Sequence, residues 1–329
     1  MMNIIVAYRG IPQARGYAFG ACLARAFRRL GHHVFEYGNY YQTSEPLSET
    51  NIPTHADAVI YCECNDLDKQ YWELQSIDAP IKAYWDFDVD THPGKTFHFV
   101  RKMRFTHLFY ANKFYGERFQ YLCPYTAYLP IGFDDELFLP MRNVVQSVDV
   151  GLCGTPYPSR IALIEALNQA GIDAHLVTGV FGDEYVQTIN KFKIHLNHEV
   201  GGGKGLIPAR VWETLGCNRL LLTEDANFSH LFFQDMKEVV FYSTQEECIE
   251  KIRNLLKQRS LIDEISERGY LFAMSNHTYL NRAMAMMTMF EASTNPIHAF
   301  STSPSVQIKL QVQLLLLQSS LKSVKSKIL

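Results

Sequence analysis

The sequence predicts an α/β protein made of two doubly wound units followed by a helical segment. Three observations predict it. At 329 residues the chain exceeds one compact core, so two domains of roughly 100–200 residues are expected. Short apolar runs alternate with stretches of helical period, which argues for parallel sheets. The alternation breaks once, at "TAYLPIGFDDELFLPMRNVVQS", and restarts at "VDVGLCG".

The first unit, residues 1–140, opens with "NIIVAY", a continuous apolar run suited to a strand covered on both faces. With no basic segment leading into a long apolar one, this opening reads as a strand and not as a signal peptide. The glycine-rich turn "RGIPQARGYAFG" leads into a helix whose face is marked by Leu23, Phe27 and Leu30 and whose stop is Gly31. "ADAVIYCEC", "APIKAYWDFDVD" and "THLFYANK" continue the series as strands, and Pro130 and Pro140 mark the approach to the boundary.

In the second unit, residues 141–275, "VDVGLCG" reads as a strand, "YPSRIALIEALNQAG" as a helix and "IDAHLVTG" as a strand. "YVQTINKFKIHLNHE" is a helix and a strand, "IPARVWETLGCN" a helix, and "RLLLTED" and "KEVVFYS" are strands. The chain from "TQEECIEK" through "NHTYLNRAMAMMTMF" is helical. Residues 293–329 begin as a polar linker, and 307–329 combine apolar residues with lysine and almost no acid. That tail is expected to lie on a membrane surface, to self-associate, or to stay poorly ordered.

Hydrophobic residues at 47% supply core for both units, and a net charge of −3 gives no global footprint for nucleic acid, while leaving room for a local basic groove. No run approaches the roughly 18–20 apolar residues that span a bilayer. The seven cysteines are scattered, and the closest pair, Cys62 and Cys64, fits neither a redox dithiol nor a zinc knuckle. Buried thiols in a reducing cytoplasm are the expectation, with the protein peripheral at the membrane if the tail binds one.

Ligands of such sheets sit beyond the carboxyl ends of the strands. Gly151 and Gly154 in "VGLCGTPYPSR" are expected to form a turn into a helix whose free amides meet a diphosphate, with Thr155 and Arg160 beside it. In "GGGKGLIPAR", Lys204 and Arg210 flank the start of the next such helix; a loop with solvated charges is the alternative. On that helix Glu213 can accept both ribose hydroxyls of a nucleotide in bonds worth about 1.5–3 kcal/mol each, or simply favour the helix N-terminus. Gly179, at the end of "IDAHLVTG", belongs to the same nucleotide-binding set. Asn197, His198 and Glu199 end a strand, as sugar contacts or as turn residues.

In the first unit, a strand from Tyr84 to Val89 would put Asp86 and Asp88 on one face and Asp90 and His92 in the turn beyond. Asp88, Asp90 or His92 is then the candidate base for a hydroxyl acceptor. The same letters admit a divalent-metal site made of Asp86, Asp88 and Asp90, or a plain capped strand end. Gly10, Arg15 and Gly16 are candidate acceptor or sugar contacts, or only a connection.

"DVGLCGTPYPSR", "HLNHE", "ARVWETLGCNRLLLTED" and "NHTYLNR", in this order and spacing, resemble the CgeB-like (spore maturation protein) glycosyltransferases of group 1. The resemblance spans about Leu108 to Phe290. It implies a GT-B fold of two facing Rossmann-like domains, with the acceptor domain first, the donor domain second, and the helix at 276–292 returning to the first. It also implies a metal-independent hexosyl- or pentosyltransferase that needs no cofactor. The donor would be a nucleoside diphosphate sugar, by resemblance a UDP-sugar, with Glu213 on its ribose. The acceptor would be a hydroxyl of a polysaccharide, protein, lipid or modified DNA. Two departures stand out: Gly205 occupies a position where many relatives have a second glutamate, and Asn218 one where they have glycine. The alternatives are a non-catalytic sugar-nucleotide or glycan-binding module and a metal-dependent transferase using Asp86, Asp88 and Asp90.

Overall fold

The computed structural model describes residues 1–48, 51–62, 73–87, 93–113, 121–200, 205–225 and 229–294. The described residues divide into Met1–Ile131 joined by Tyr279–Thr294, and Gly132–Thr278.

In the first of these units, six parallel strands run in the order β2-β1-β3-β4-β5-β6. They are β1 (Asn3–Ala7), β2 (His33–Tyr37), β3 (Ala58–Cys62), β4 (Ile81–Asp86), β5 (His107–Tyr110) and β6 (Tyr125–Tyr128). Beyond the exposed Asn3, β1 and β3 are apolar because both faces are covered: Ile4, Ile5, Val6, Val59, Ile60 and Tyr61 are all fully buried. Helix α1 (Phe19–Arg29) buries Leu23 and Phe27, and α2 (Pro93–Met103) buries Phe99 and Val100. An aromatic core results, in which Tyr84 stacks on Phe105 at 5.4 Å and meets Phe99 edge-on at 5.1 Å.

The second sheet has the order β11-β10-β9-β7-β8, again all parallel. Its strands are β7 (Val148–Cys153), β8 (Ala174–Val177), β9 (Phe192–Asn197), β10 (Leu220–Glu224) and β11 (Val240–Tyr242). Helices α3 (Pro158–Gln169), α4 (Gly182–Lys191), α5 (Ala209–Gly216), α6 (Gln245–Leu256) and α7 (Arg259–Asn276) flank it. Leu152, Leu167, Ile194, Leu196, Leu220, Leu222 and Ile252 form its core.

The last described helix, α8 (Tyr279–Thr294), belongs to the first unit. Tyr279, Ala283, Met286 and Phe290 recur at intervals of three or four and are buried, so one stripe of the helix supplies its docking face. Arg282, on the same face, donates from Nε to Pro130 O at 2.6 Å and from Nη2 to Ile131 O at 3.1 Å. Phe290 lies edge-on to His107, 5.1 Å away. Burial pushes Arg282 down to about 10 and His107 down to about 4.

The structure changes several local expectations. The strand around Asp86 runs from Ile81 to Asp86 and gives way to a bend at Phe87, so Asp86 is a buried strand end. Gly151 is not in a turn: it lies within β7, where a Cβ would come within 2.2 Å of the Phe192 ring. "HVFEY" and "YTAY" are strands too, held by their parallel neighbours β1 and β5 and not by any strong pattern of their own. Asn218 takes φ 53° between α5 and β10, a left-handed turn that asparagine tolerates. All six described cysteines are buried. No helix among the described residues is long and apolar enough to cross a membrane, and the 307–329 tail lies outside them.

Candidate functional site

The chain leaves β7 towards β8 on one side and returns through β9 on the other, so the second sheet has its switch point between β7 and β9. Adjacent connections diverge there and leave a crevice at the carboxyl ends of the strands. Gly154, Thr155, Arg160, His198, Arg210 and Glu213 gather at this end.

Gly154 follows β7 with φ +147°, and its amide donates to Val177 O at 3.0 Å. A Cβ here would lie 3.1 Å from Arg160 Nη1 and 3.2 Å from Arg210 Nη2, so the glycine leaves room for two guanidinium groups over the loop. Arg160, in the first turn of α3, is buried. It donates from Nε and Nη2 to His198 O at 3.2 and 3.1 Å, and from Nη1 to Thr155 O at 3.1 Å. Arg160 thereby fastens the end of β9 to the loop after β7. Thr155 is exposed and contributes its carbonyl, and the Tyr157 ring lies 5.3 Å from the guanidinium carbon. Desolvation and then the neighbouring Arg210 charge push Arg160 below the usual arginine range.

Arg210 is the second residue of α5, whose N-cap residue Pro208 offers no side-chain cap. Its Nη1 is closed off from solvent and has no hydrogen-bond partner among the described residues. A buried N–H left unpaired costs on the order of 1–3 kcal/mol, which an anion placed there would recover. The uncapped helix start adds its own positive end to the two guanidinium groups.

Glu213 sits three residues after Arg210, on the same side of α5. Its Oε2 accepts from Tyr185 Oη on α4 at 2.9 Å. Desolvation raises the Glu213 carboxyl from its usual 4.5 to about 7, against the opposing pull of the Tyr185 bond and Arg210. Such a carboxyl is costly to ionise and gains from any hydroxyl that donates to it. Tyr185 was not foreseen: twenty-eight residues separate it from Glu213, and nothing in its local pattern marks the contact.

His195 is fully buried behind this cluster. The Cys153 amide donates to its Nε2 at 3.3 Å, so Nδ1 carries the proton towards Thr214 Oγ1 at 2.6 Å, and Thr214 donates to Arg210 O at 2.5 Å. Desolvation holds this imidazole neutral, with its pKa down to about 3. The relay locks the end of β7 to the first turn of α5.

At the ends of β9, β10 and β11, Asn197 Nδ2 donates to Glu199 Oε1 and to Thr223 Oγ1, both at 2.9 Å. His198 Nδ1 lies 3.0 Å from Glu224 Oε1 and 3.1 Å from Tyr242 Oη. The Glu199 amide donates to Glu224 Oε2 at 2.6 Å. Desolvation raises the Glu199 carboxyl, while Asn197, Arg210 and Arg160 favour its ionised form. Gly179 is exposed in the loop after β8, two residues beyond Val177, whose carbonyl accepts from the Gly154 amide.

In the first unit, Gly10 donates to Asn39 O at 3.1 Å and accepts from the Tyr41 amide at 2.8 Å, so both its backbone groups are engaged. Arg15 forks onto Glu45 at 2.7 and 2.9 Å and lies 4.7 Å from the Tyr40 ring centre. The Gly16 carbonyl accepts from Arg25 Nη2 at 2.9 Å. Asp88, Asp90 and His92, and Lys204 in the second unit, lie outside the described residues. No cluster of metal-ligating side chains occurs among the described residues.

Residues 136–288 match the model of a family described as glycosyl transferase-like. No curated protein matches the chain by sequence. Solved structures are similar along nearly the whole chain. The Anabaena protein HepE in complex with UDP-glucose has a TM-score of 0.63 at 11% identity, covering 88% of this chain and 100% of that one. A sucrose-phosphate synthase from Thermosynechococcus elongatus has 0.60 at 11%, covering 89% and 99%. An alpha-glucosyltransferase in complex with UDP has 0.61 at 11%, covering 90% and 100%. The fold is GT-B, with two Rossmann-like units and C-terminal helices. The match to the glycosyl transferase-like model covers nearly all of the second unit and part of α8, and the similar structures show the fold.

Proposed function

We propose that the protein transfers a sugar from a UDP-sugar to a hydroxyl acceptor and that the second unit holds the donor. The observation that carries this reading is the pair of guanidinium groups over Gly154, one of them with a buried, unpaired N–H. Two crowded cations at an uncapped helix start make a site for a compact anion of more than one charge. The diphosphate of a sugar nucleotide is such an anion.

On this reading Arg160 and Arg210, with Gly154, Thr155 and Lys204, bind the diphosphate. Glu213, steadied by Tyr185, accepts from the ribose. When the glycosidic bond breaks, negative charge grows on the departing diphosphate, and fixed guanidinium groups and amides stabilise it without reorganising. That electrostatic role is the reason for proposing a metal-independent reaction. Asp88, Asp90 or His92 in the first unit would take the acceptor proton. HepE has been solved with UDP-glucose, and the alpha-glucosyltransferase with UDP and a 13-mer DNA, which supports UDP as the donor nucleotide and keeps DNA among the acceptor classes.

Calorimetry of UDP and uridine on wild type and Arg210→Ala, with and without EDTA, tests the assignment. UDP should bind wild type in EDTA, and Arg210→Ala should weaken UDP about 10–100-fold while leaving uridine unchanged. Equal losses for UDP and uridine would remove the diphosphate from Arg210. Binding or transfer that required a divalent cation would move the chemistry to Asp86, Asp88 and Asp90.

A further inference from the structure

Resting on that reading of the donor site, we propose that Glu199 is the carboxylate that recognises hydroxyls of the transferred sugar, separately from the nucleotide. Glu199 follows β9 at the switch point of the second sheet and is half-buried. Asn197 Nδ2 fixes its Oε1, leaving Oε2 without a bond among the described residues. Its amide is tied to Glu224, so the backbone that carries it is fixed as well. The result is a held acceptor with one oxygen to spare.

The charges around it narrow the ligand. Arg160 bonds the carbonyl of His198, the residue just before Glu199, so Glu199 stands beside a group assigned to the diphosphate, and the charges of Arg210 and Arg160 favour its ionised form while Glu224 opposes it. A carboxylate in that place repels a phosphate oxygen and attracts a hydroxyl. The group attached to the far phosphate of a sugar nucleotide is a ring bearing several hydroxyls. The neighbouring polar groups are engaged elsewhere: Asn197 Nδ2 with Glu199 and Thr223, His198 Nδ1 with Glu224 and Tyr242. Glu213 stands on a different element, α5, so two carboxylates on two elements can read the two sugars of the donor independently.

The test compares UDP with a panel of UDP-glucose, UDP-galactose, UDP-N-acetylglucosamine and UDP-xylose by calorimetry, on wild type, Glu199→Gln and Glu199→Asp. The measured quantity is the ratio of the UDP-sugar Kd to the UDP Kd, taken for the sugar that wild type binds best. In Glu199→Gln the UDP-sugar Kd itself should rise about tenfold, the loss of one charge-assisted bond, and the ratio with it, while the UDP Kd stays the same or falls as a like charge beside the diphosphate is removed. Glu199→Asp, which withdraws the carboxylate by one methylene, should raise the ratio as well and covers the case in which the glutamine variant does not fold. An unchanged ratio in either folded variant, or equal weakening of UDP and UDP-sugar, would overturn the role of Glu199 while leaving the donor site standing. Failure of wild type to bind UDP at all would overturn the proposed function itself.

Discussion

Replacing Glu213 by glutamine should stabilise the protein at high pH and weaken nucleotide binding. The native carboxyl is raised from 4.5 to about 7, chiefly by desolvation. Because the folded state holds this proton more tightly than the unfolded chain, the group's contribution to stability is complete below pH 4.5. It is lost as pH climbs through about 7. At ~1.36 kcal/mol per pH unit, the ionised form carries a cost approaching about 3 kcal/mol at pH 8.5. Glutamine removes the charge and keeps a carbonyl oxygen for the Tyr185 hydroxyl, but its amide must find an acceptor. The net gain should therefore be ~1–2 kcal/mol, or roughly 2–8 °C in the unfolding midpoint. Urea or thermal unfolding at pH 5 and pH 8.5 measures it: the variant should be about 1 kcal/mol less stable than wild type at pH 5, where only the amide cost is felt, and ~1–2 kcal/mol more stable at pH 8.5. Calorimetry at pH 8 should show UDP bound about 10–100-fold more weakly, because the ribose loses a charged acceptor. A variant equally destabilised at both pH values would refute the buried-charge argument, and unchanged UDP affinity would refute the ribose assignment.

Two further substitutions probe the backbone of the site. Gly154→Ala meets both a φ of +147° and two guanidinium groups within 3.2 Å; it should cost ~1–2 kcal/mol in urea unfolding and about tenfold in UDP affinity, and wild-type values of both would show that the loop has slack. Asn218→Ala should cost ~1 kcal/mol while Asn218→Gly costs nothing or stabilises slightly, since only the left-handed φ of 53° distinguishes them; equal effects in a denaturant titration would contradict that explanation.

Much of the fold was legible because its signals are local. A parallel strand covered on both faces writes itself as an apolar run, and a docked helix as a stripe, so β1, β3, β7, β9 and α8 could be read in the residues themselves. Asn218 shows the same: a turn that needs positive φ selects a residue type at that one position. β2 and β6 were less legible, since their half-polar sequences become strands only beside β1 and β5. Gly151 is not legible, because a glycine in a turn and a glycine under a phenylalanine ring look alike in sequence until Phe192 is placed on it.

The sequence alone set the residue types that can bind an anion and a ribose, and set them at strand ends and helix starts, because spacing along the chain encodes those positions. Tertiary structure decided how they are used. Arg160 and Arg210, fifty residues apart, crowd over one glycine, and Arg160 turns its N–H groups to the His198 and Thr155 carbonyls. Tyr185 closes on Glu213, and His195 joins the end of β7 to α5 through Thr214. Desolvation then moves the Glu213 and His195 ionisations in opposite directions. These effects depend on distances and burial between distant residues, which arise when the chain packs.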